Sequence, residues 1–207
     1  MSLDFDEQYY LDGYKLIVGC DEAGRGCLPG PVFAAAVILP RDFHSPLIND
    51  SKKLTAKQRE EAYKIITENA IAYGIASIDP DTIDEVNILN ASRMAMQKAI
   101  EAMNHPFDLI LTDCMKMKGY DVPVIDLVHG DALSQNIAAA SILAKVSRDH
   151  FCLELDEKYP MYNIKKNKGY GTKDHLEALK KFGPVKHLHR FSYAPVKACF
   201  IEKFSLF

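Results

Sequence analysis

The chain has 207 residues, 48% of them hydrophobic and 26% charged, which fits a folded globule of one domain and excludes a disordered chain. Its formal charge of -3 gives no hint of a polyanion ligand, and its longest apolar run, Val32 to Leu39, is far short of the roughly 20 residues a membrane span requires. Five cysteines, widely spaced and never in CxxC, argue against both a disulfide framework and a zinc knuckle. The acidic start (Asp4, Asp6, Glu7) lacks the apolar stretch of a secretory signal, so a reduced cytoplasmic protein is expected.

In chain order, Leu16 to Cys20 reads as a buried strand and Val32 to Leu39 as a second. The glycine-rich stretch between them, Ala23 to Gly30, suits a hairpin connection. Thr55 and Gln58 form a capping box opening a helix to about Asn69, and Ala70 to Ile78 follows as a strand. Asp79 to Glu85 reads as a short helix with Pro80 in its first turn, and residues 88 to 103 carry apolar positions at helical spacing. Phe107 to Thr112 and Val122 to Val128 are strands. Ser134 to Arg148, rich in alanine, is a close-packed helix, and Lys173 to Phe182 is a helix stopped by Gly183-Pro184. Helices interleaved with strands and opened by a hairpin give an α/β fold with a mixed sheet.

Charge is unevenly spread. Lys158 to Arg190 holds nine basic residues against Asp174 and Glu177, whereas the first 22 residues hold six acids and one lysine. A basic face beside an acidic spot suits an enzyme that grips phosphates and holds metal ions, although a solvated helix surface has the same composition.

Asp21 and Glu22 end the first strand, Asp113 follows the strand ending at Thr112, and Asp131 precedes the alanine-rich helix. A single Asp at such a boundary is most often a cap or turn residue. Four acids delivered by three segments to places where ligands gather are a different matter. Clustered carboxylates need compensating cations, and hard divalent ions with oxygen ligands supply them. Two such ions can activate water and stabilise the leaving oxygen in phosphodiester hydrolysis. Adjacent strand residues point to opposite faces, so Asp21 and Glu22 share a site only if the strand breaks at Glu22 or Glu22 acts through its carbonyl. In Gly24-Arg25-Gly26 the glycines admit close backbone approach while the arginine offers a planar phosphate fork.

These segments together resemble type 2 ribonuclease H, the ribonuclease HII family. The resemblance rests on Gly19-Cys-Asp-Glu-Ala-Gly-Arg-Gly26, Gly30-Pro-Val32 and Asp50-Ser-Lys-Lys-Leu54. It continues through Gly130-Asp131, Ile137 to Lys145, Arg148-Asp149, Lys168-Gly-Tyr-Gly-Thr172, His175 and His189-Arg190. It implies a ribonuclease H-like fold, a mixed five-stranded sheet flanked by helices. Residues 1–150 would form the catalytic core and 151–207 a C-terminal helical extension that helps bind substrate. It also implies Mg²⁺- or Mn²⁺-dependent cleavage on the 5′ side of ribonucleotides in RNA–DNA hybrids and in DNA duplexes containing ribonucleotides, leaving 5′-phosphate and 3′-hydroxyl ends. By the resemblance, Asp21, Glu22, Asp113 and Asp131 are the catalytic metal-binding carboxylates. Gly24, Arg25 and Gly26 would read the ribose 2′-hydroxyl, the group that tells RNA from DNA, with Tyr170 packing on the following sugar.

Lys52 and Lys53 before the capped helix, Lys145 on the alanine-rich helix and Lys168 beside Tyr170 are the expected phosphate contacts. His189-Arg190 is expected to stabilise the extension rather than take part in chemistry. The chain departs from the family pattern at Cys114, where glycine is usual, at Leu133, where lysine is usual, and at Asn136, where serine is common. A non-cutting hybrid binder is disfavoured because all four acids are present. The sister ribonuclease HIII family is disfavoured because it usually lacks the loop arginine and carries a further N-terminal domain. The end, Lys203-Phe-Ser-Leu-Phe207, resembles the tails by which bacterial replication and repair proteins dock on a sliding clamp, with Lys203 in place of the usual glutamine. Helical spacing of Phe200, Ile201, Phe204 and Phe207 favours packing against the core instead.

Overall fold

The computed structural model describes residues 4–48 and 54–204. The Lys52-Lys53 pair, the preceding Asp50-Ser51 and residues 205–207 lie outside them. Strands β1 (Ile17–Ala23), β2 (Val32–Ile38), β3 (Ala72–Ile78), β4 (Leu109–Asp113) and β5 (Val124–Leu127) form one sheet in the order β3-β2-β1-β4-β5. β1 and β2 pair antiparallel, as do β2 and β3, while β4 lies parallel to both β1 and β5. This is the expected mixed five-stranded sheet.

The helices are α1 (Asp4–Leu11), α2 (Ala56–Asn69), α3 (Pro80–Val86), α4 (Ile88–Met103), α5 (Gly130–Leu133), α6 (Gln135–Lys158), α7 (Ile164–Asn167), α8 (Lys173–Phe182) and α9 (Ala194–Phe204). Both halves of the capping box at α2 are present: Thr55 accepts from the Gln58 amide at 3.3 Å, and Gln58 accepts from the Thr55 amide at 2.9 Å. Such a cap contributes about 1 kcal/mol. No described helix is long and apolar enough to cross a membrane.

Strand alternation divides the core. Val18, Cys20, Ala34 and Ala36 face Met96, Ala99 and Ile100 of α4 on one side. Ala35 and Val37 face Ala138, Ala139 and Ile142 of α6 on the other. The alanines matter because α6 lies almost directly on β1. A Cβ at Gly19 would sit 2.1 Å from the Asn136 carbonyl carbon, so only glycine permits this approach. A third cluster, with Leu28, Cys152, Leu155, Tyr162, Leu179 and Val196, joins the end of α6 to α8 and α9.

Two features differ from the sequence reading. Helix α1 was not expected; it is held by Asp6, whose carboxylate accepts from the Gln135 amide at 3.0 Å and from the Asn136 side-chain amide at 3.1 Å. The alanine-rich helix runs ten residues past Arg148 to Lys158. Beyond Arg148 its Phe151 ring still meets Phe33 of β2, 5.7 Å between centroids, while Cys152 and Leu155 pack into the third cluster, so residue 150 lies within a continuous helix.

Candidate active site

A cavity of about 280 Å³ opens at the carboxyl ends of β1 and β4. It is lined by Asp21, Glu22, Ala23, Gly24 and Asp113 on the sheet side, and by Arg59, Ser141, Lys145, Arg148 and Tyr170 from the helices and the C-terminal loop. Parallel pairing of β1 with β4 brings the two strand ends together, so acids more than 90 residues apart in sequence share one hollow.

β1 does not break at Glu22: regular pairing continues through Ala23, with Asp21 opposite Ala35 and Glu22 opposite Ala34. Both residues nevertheless line the cavity, because it wraps the open end of the strand rather than one face. Asp21 is buried, accepts a hydrogen bond from the Ser141 hydroxyl, and accepts from the Glu22 amide at 2.7 Å. Burial, then the neighbouring Glu22 and Asp113 charges, hold its carboxyl well above the usual range. Burial raises Glu22 as well, against the opposing pull of Arg25, whose Nη1 lies 3.2 Å from Oε1. Glu22 Oε2 is buried without a hydrogen-bond partner.

Asp113 accepts from the Gly130 amide at 2.8 Å, which ties the end of β4 to the start of α5. Asp131, in the first turn of α5, is buried but is not among the cavity-lining side chains. Among the described residues, no three carboxylate, imidazole or thiol side chains converge as a ready-made metal centre. The donor set nevertheless suits a hard divalent ion: oxygen donors only, mutual repulsion, and one orphaned buried carboxylate oxygen.

The opposite wall is cationic. Lys145 Nζ lies 2.7 Å from Asp149 Oδ1, and Arg59 Nη2 lies 4.0 Å from the other oxygen of the same carboxylate. Arg148 is buried and donates to the Lys168 carbonyl at 2.8 Å. A Cβ at Gly24 would fall 2.1 Å from Arg148 Nε, and one at Gly169 would fall 2.9 Å from Nη2, so this guanidinium wedges between the two glycine loops.

The Ala23–Gly30 connection does join antiparallel strands, but it is gripped from both sides. Cys27 bridges Tyr170, Leu28 donates to the Gly169 carbonyl at 2.8 Å, and Arg190 donates its amide to the Leu28 carbonyl at 2.9 Å. A Cβ at Gly26 would lie 3.8 Å from Cε1 of the half-exposed Tyr170 ring, so the loop backbone and the ring are close neighbours.

A family model for ribonuclease HII matches residues 18–196, and a ribonuclease HII of Desulfitobacterium hafniense (strain DSM 10664 / DCB-2) is 50% identical over 192 residues, 93% of this chain and 74% of that one. The chain belongs to the ribonuclease HII family. It is accordingly an endoribonuclease of the ribonuclease H type, a hydrolase acting on RNA–DNA hybrids. The fold agrees. Ribonuclease H2 from Pyrococcus horikoshii OT3 superposes with a TM-score of 0.78 at 24% identity, covering 92% of this chain and 99% of that one. Bst-RNase HIII, solved in complex with Mn²⁺, gives 0.69 at 16% identity, with 91% and 70% covered. RNase HII from Archaeoglobus fulgidus, solved as a PCNA complex, gives 0.70 at 23% identity, with 84% and 92% covered.

Two departures from the ribonuclease HII pattern acquire physical reasons. Cys114 has φ of 49°, in the left-handed region where glycine is unstrained, which accounts for the usual glycine. Asn136 donates to Asp6 and accepts from the Leu39 amide at 2.8 Å, so it locks α1 and the end of β2 onto the start of α6. Leu133 is partly exposed in α5, and nothing in the structure explains it. Of the expected lysines, Lys145 lines the cavity, and Lys168 contributes its carbonyl as an acceptor for Arg148 and the Cys27 thiol. Lys52 lies outside the described residues. The Arg25 guanidinium sits on Glu22. Arg59 was not anticipated in the cavity: its only sequence signal is its place in the first turn and a half of a well-capped helix.

Proposed function

We propose that this ribonuclease HII cuts on the 5′ side of a ribonucleotide, in RNA–DNA hybrids and in DNA duplexes holding isolated ribonucleotides, leaving 5′-phosphate and 3′-hydroxyl ends. Asp21, Glu22, Asp113 and Asp131 are the residues that would hold Mg²⁺ or Mn²⁺. The observation that carries this reading is the mutually repelling set of Asp21, Glu22 and Asp113, with Glu22 Oε2 buried and unpartnered, facing a cationic wall across a hollow open to solvent. The Mn²⁺ complex of the structurally similar Bst-RNase HIII supports the choice of ion. Bound divalent ions would supply positive charge to the scissile phosphate and lower the pKa of water. Magnesium usually takes few protein carboxylates and completes its shell with substrate phosphate and water, which suits acids spread around a cavity rather than closed into a cage.

The chain's own groups do the remaining work. Ser141 orients Asp21 through a hydrogen bond. Lys145 and Arg59, braced on Asp149, receive backbone phosphates, joined by Lys52 and Lys168 at the margins. Gly24, Arg25 and Gly26 meet the ribose 2′-hydroxyl, and the Tyr170 ring lies against the next sugar. Residues 1–150 serve as the catalytic core, with 151–207 contributing the loop and helices that complete substrate binding. The enzyme acts in the cytoplasm on DNA under repair or replication. Docking of Lys203–Phe207 on a sliding clamp gains support from the Archaeoglobus complex; side chains from Phe200 onward are not described.

The test compares a duplex containing one ribonucleotide with a long hybrid, in Mg²⁺ and in Mn²⁺, with both ends of each product mapped. Metal-dependent cutting 5′ to the single ribonucleotide is the expected result. Cutting only within long RNA tracts, or 3′ to the ribonucleotide, would overturn it.

A further inference from the structure

Arg190 is fully buried, and among the described residues its side chain donates to no carboxylate: its hydrogen-bond partners are carbonyls and a phenol. Nε donates to the Gly30 carbonyl at 2.9 Å, and Nη1 donates to the carbonyls of Gly24 at 2.8 Å and Arg25 at 2.9 Å. Tyr193, over whose ring the guanidinium carbon sits at 5.2 Å, donates its own hydroxyl to the Arg25 carbonyl. A segment some 160 residues downstream therefore grips both ends of the glycine loop through its backbone.

The consequence follows from peptide geometry. The peptides of the described residues are all trans, so each C=O in the loop points opposite to the N–H of the same unit. With the carbonyls of Gly24 and Arg25 turned inward onto Arg190, the N–H groups of Arg25 and Gly26 are turned outward. Both residues are exposed, and neither amide donates to a partner among the described residues. The two peptide dipoles are thus aligned by a buried cation, positive ends toward solvent, at the rim of the carboxylate cavity. That is a preorganised donor pair for a substrate oxygen. Its φ of 97° makes Gly24 the hinge that allows the turn.

We propose that Arg190, assisted by Tyr193, is a positioning residue for ribonucleotide selection: it sets the Arg25 and Gly26 amides to receive the ribose oxygen. This rests on the reading of the glycine loop given above. A misset donor pair impairs the chemical step on a duplex with one ribonucleotide, where a single 2′-hydroxyl must be found. It leaves affinity for plain DNA, held by lysines and arginines elsewhere, untouched.

The test uses the full-length enzyme and its Arg190→Lys and Tyr193→Phe variants, at a temperature where circular dichroism shows each folded. Lysine reaches one carbonyl rather than three, and kcat on the one-ribonucleotide duplex is expected to fall about 10- to 100-fold. Tyr193→Phe keeps the ring over the guanidinium and loses one donor, with a fall of about three-fold expected. The Kd for an all-DNA duplex stays at the wild-type value in both, and the Arg25 and Gly26 amide resonances shift. A purely structural role would lower active-enzyme concentration while leaving kcat per folded molecule and those resonances unchanged, and that result would overturn the proposal. Should Arg190→Lys not fold, Tyr193→Phe decides by the same criteria. Failure of the wild-type enzyme to cut the duplex would instead sink the functional reading, with the amide shifts still testing the clamp.

Discussion

Acid weakens this protein through buried imidazoles, His189 above all. His189 is fully buried; its Nδ1 accepts the Val185 amide at 3.0 Å, so the proton sits on Nε2, which has no partner. Its ring meets Tyr162 edge-on at 4.8 Å and lies 6.1 Å from His175. Burial, then the His175 charge, push its pKa down from 6.5 to about 4. Above pH 6.5 the imidazole is neutral whether folded or not, and contributes no pH dependence. Below that, the unfolded chain takes up a proton that the folded protein refuses, so stability falls with pH until the folded form also titrates near 4. At 1.36 kcal/mol per unit the full loss is about 3 kcal/mol. Burial lowers His175 too, which adds in the same direction. The assay is urea unfolding of wild-type and His189→Asn protein across this range. Asparagine keeps an acceptor for Val185 but cannot charge, and the carboxylates common to both proteins cancel in the difference. The stability gap between them should narrow by about 2 kcal/mol from about pH 6.5 to 4.5. Parallel pH dependences would refute the reasoning.

Cys114→Gly relieves a left-handed residue and should raise stability by about 1 kcal/mol, seen as a rise in melting temperature of roughly 2–4 °C. Gly24→Ala meets both a φ of 97° and a Cβ 2.1 Å from Arg148 Nε. It should cost about 2–4 kcal/mol by denaturant unfolding and lower kcat by more than the loss of folded protein explains. Tyr170→Ala should strongly weaken cutting of the one-ribonucleotide duplex while Tyr170→Phe keeps most of it, in side-by-side kinetics; equal losses would assign the role to the hydroxyl that meets Cys27.

Local signals served the sequence reading well. The capping box at Thr55 formed as written, and the alanine run became the helix face that lies on β1. Carboxylates at strand ends found one another because parallel pairing of β1 and β4 aligns those ends. What escaped depends on contacts between distant segments. Helix α1 is short and polar, and exists through Asp6 reaching Asn136. Strand alternation placed Asp21 and Glu22 on opposite faces, and both residues line the cavity because it sits at the strand's end. His189-Arg190 read as a stabiliser of the extension, yet Arg190 holds the glycine loop; a buried arginine bound to carbonyls leaves no spacing pattern to detect.

The most direct test of the account is cleavage of a duplex containing one ribonucleotide by wild-type enzyme and by Asp21→Asn, with Mg²⁺ or Mn²⁺ and with chelator. Ionising Asp21 in its buried, acidic surroundings opposes folding at neutral pH, so the variant should melt at or above the wild-type temperature. Its turnover should nevertheless fall by roughly three decades or more, and chelator should silence the wild type. A folded Asp21→Asn protein that cuts at near wild-type rates would contradict the central claim that this carboxylate cluster performs the reaction.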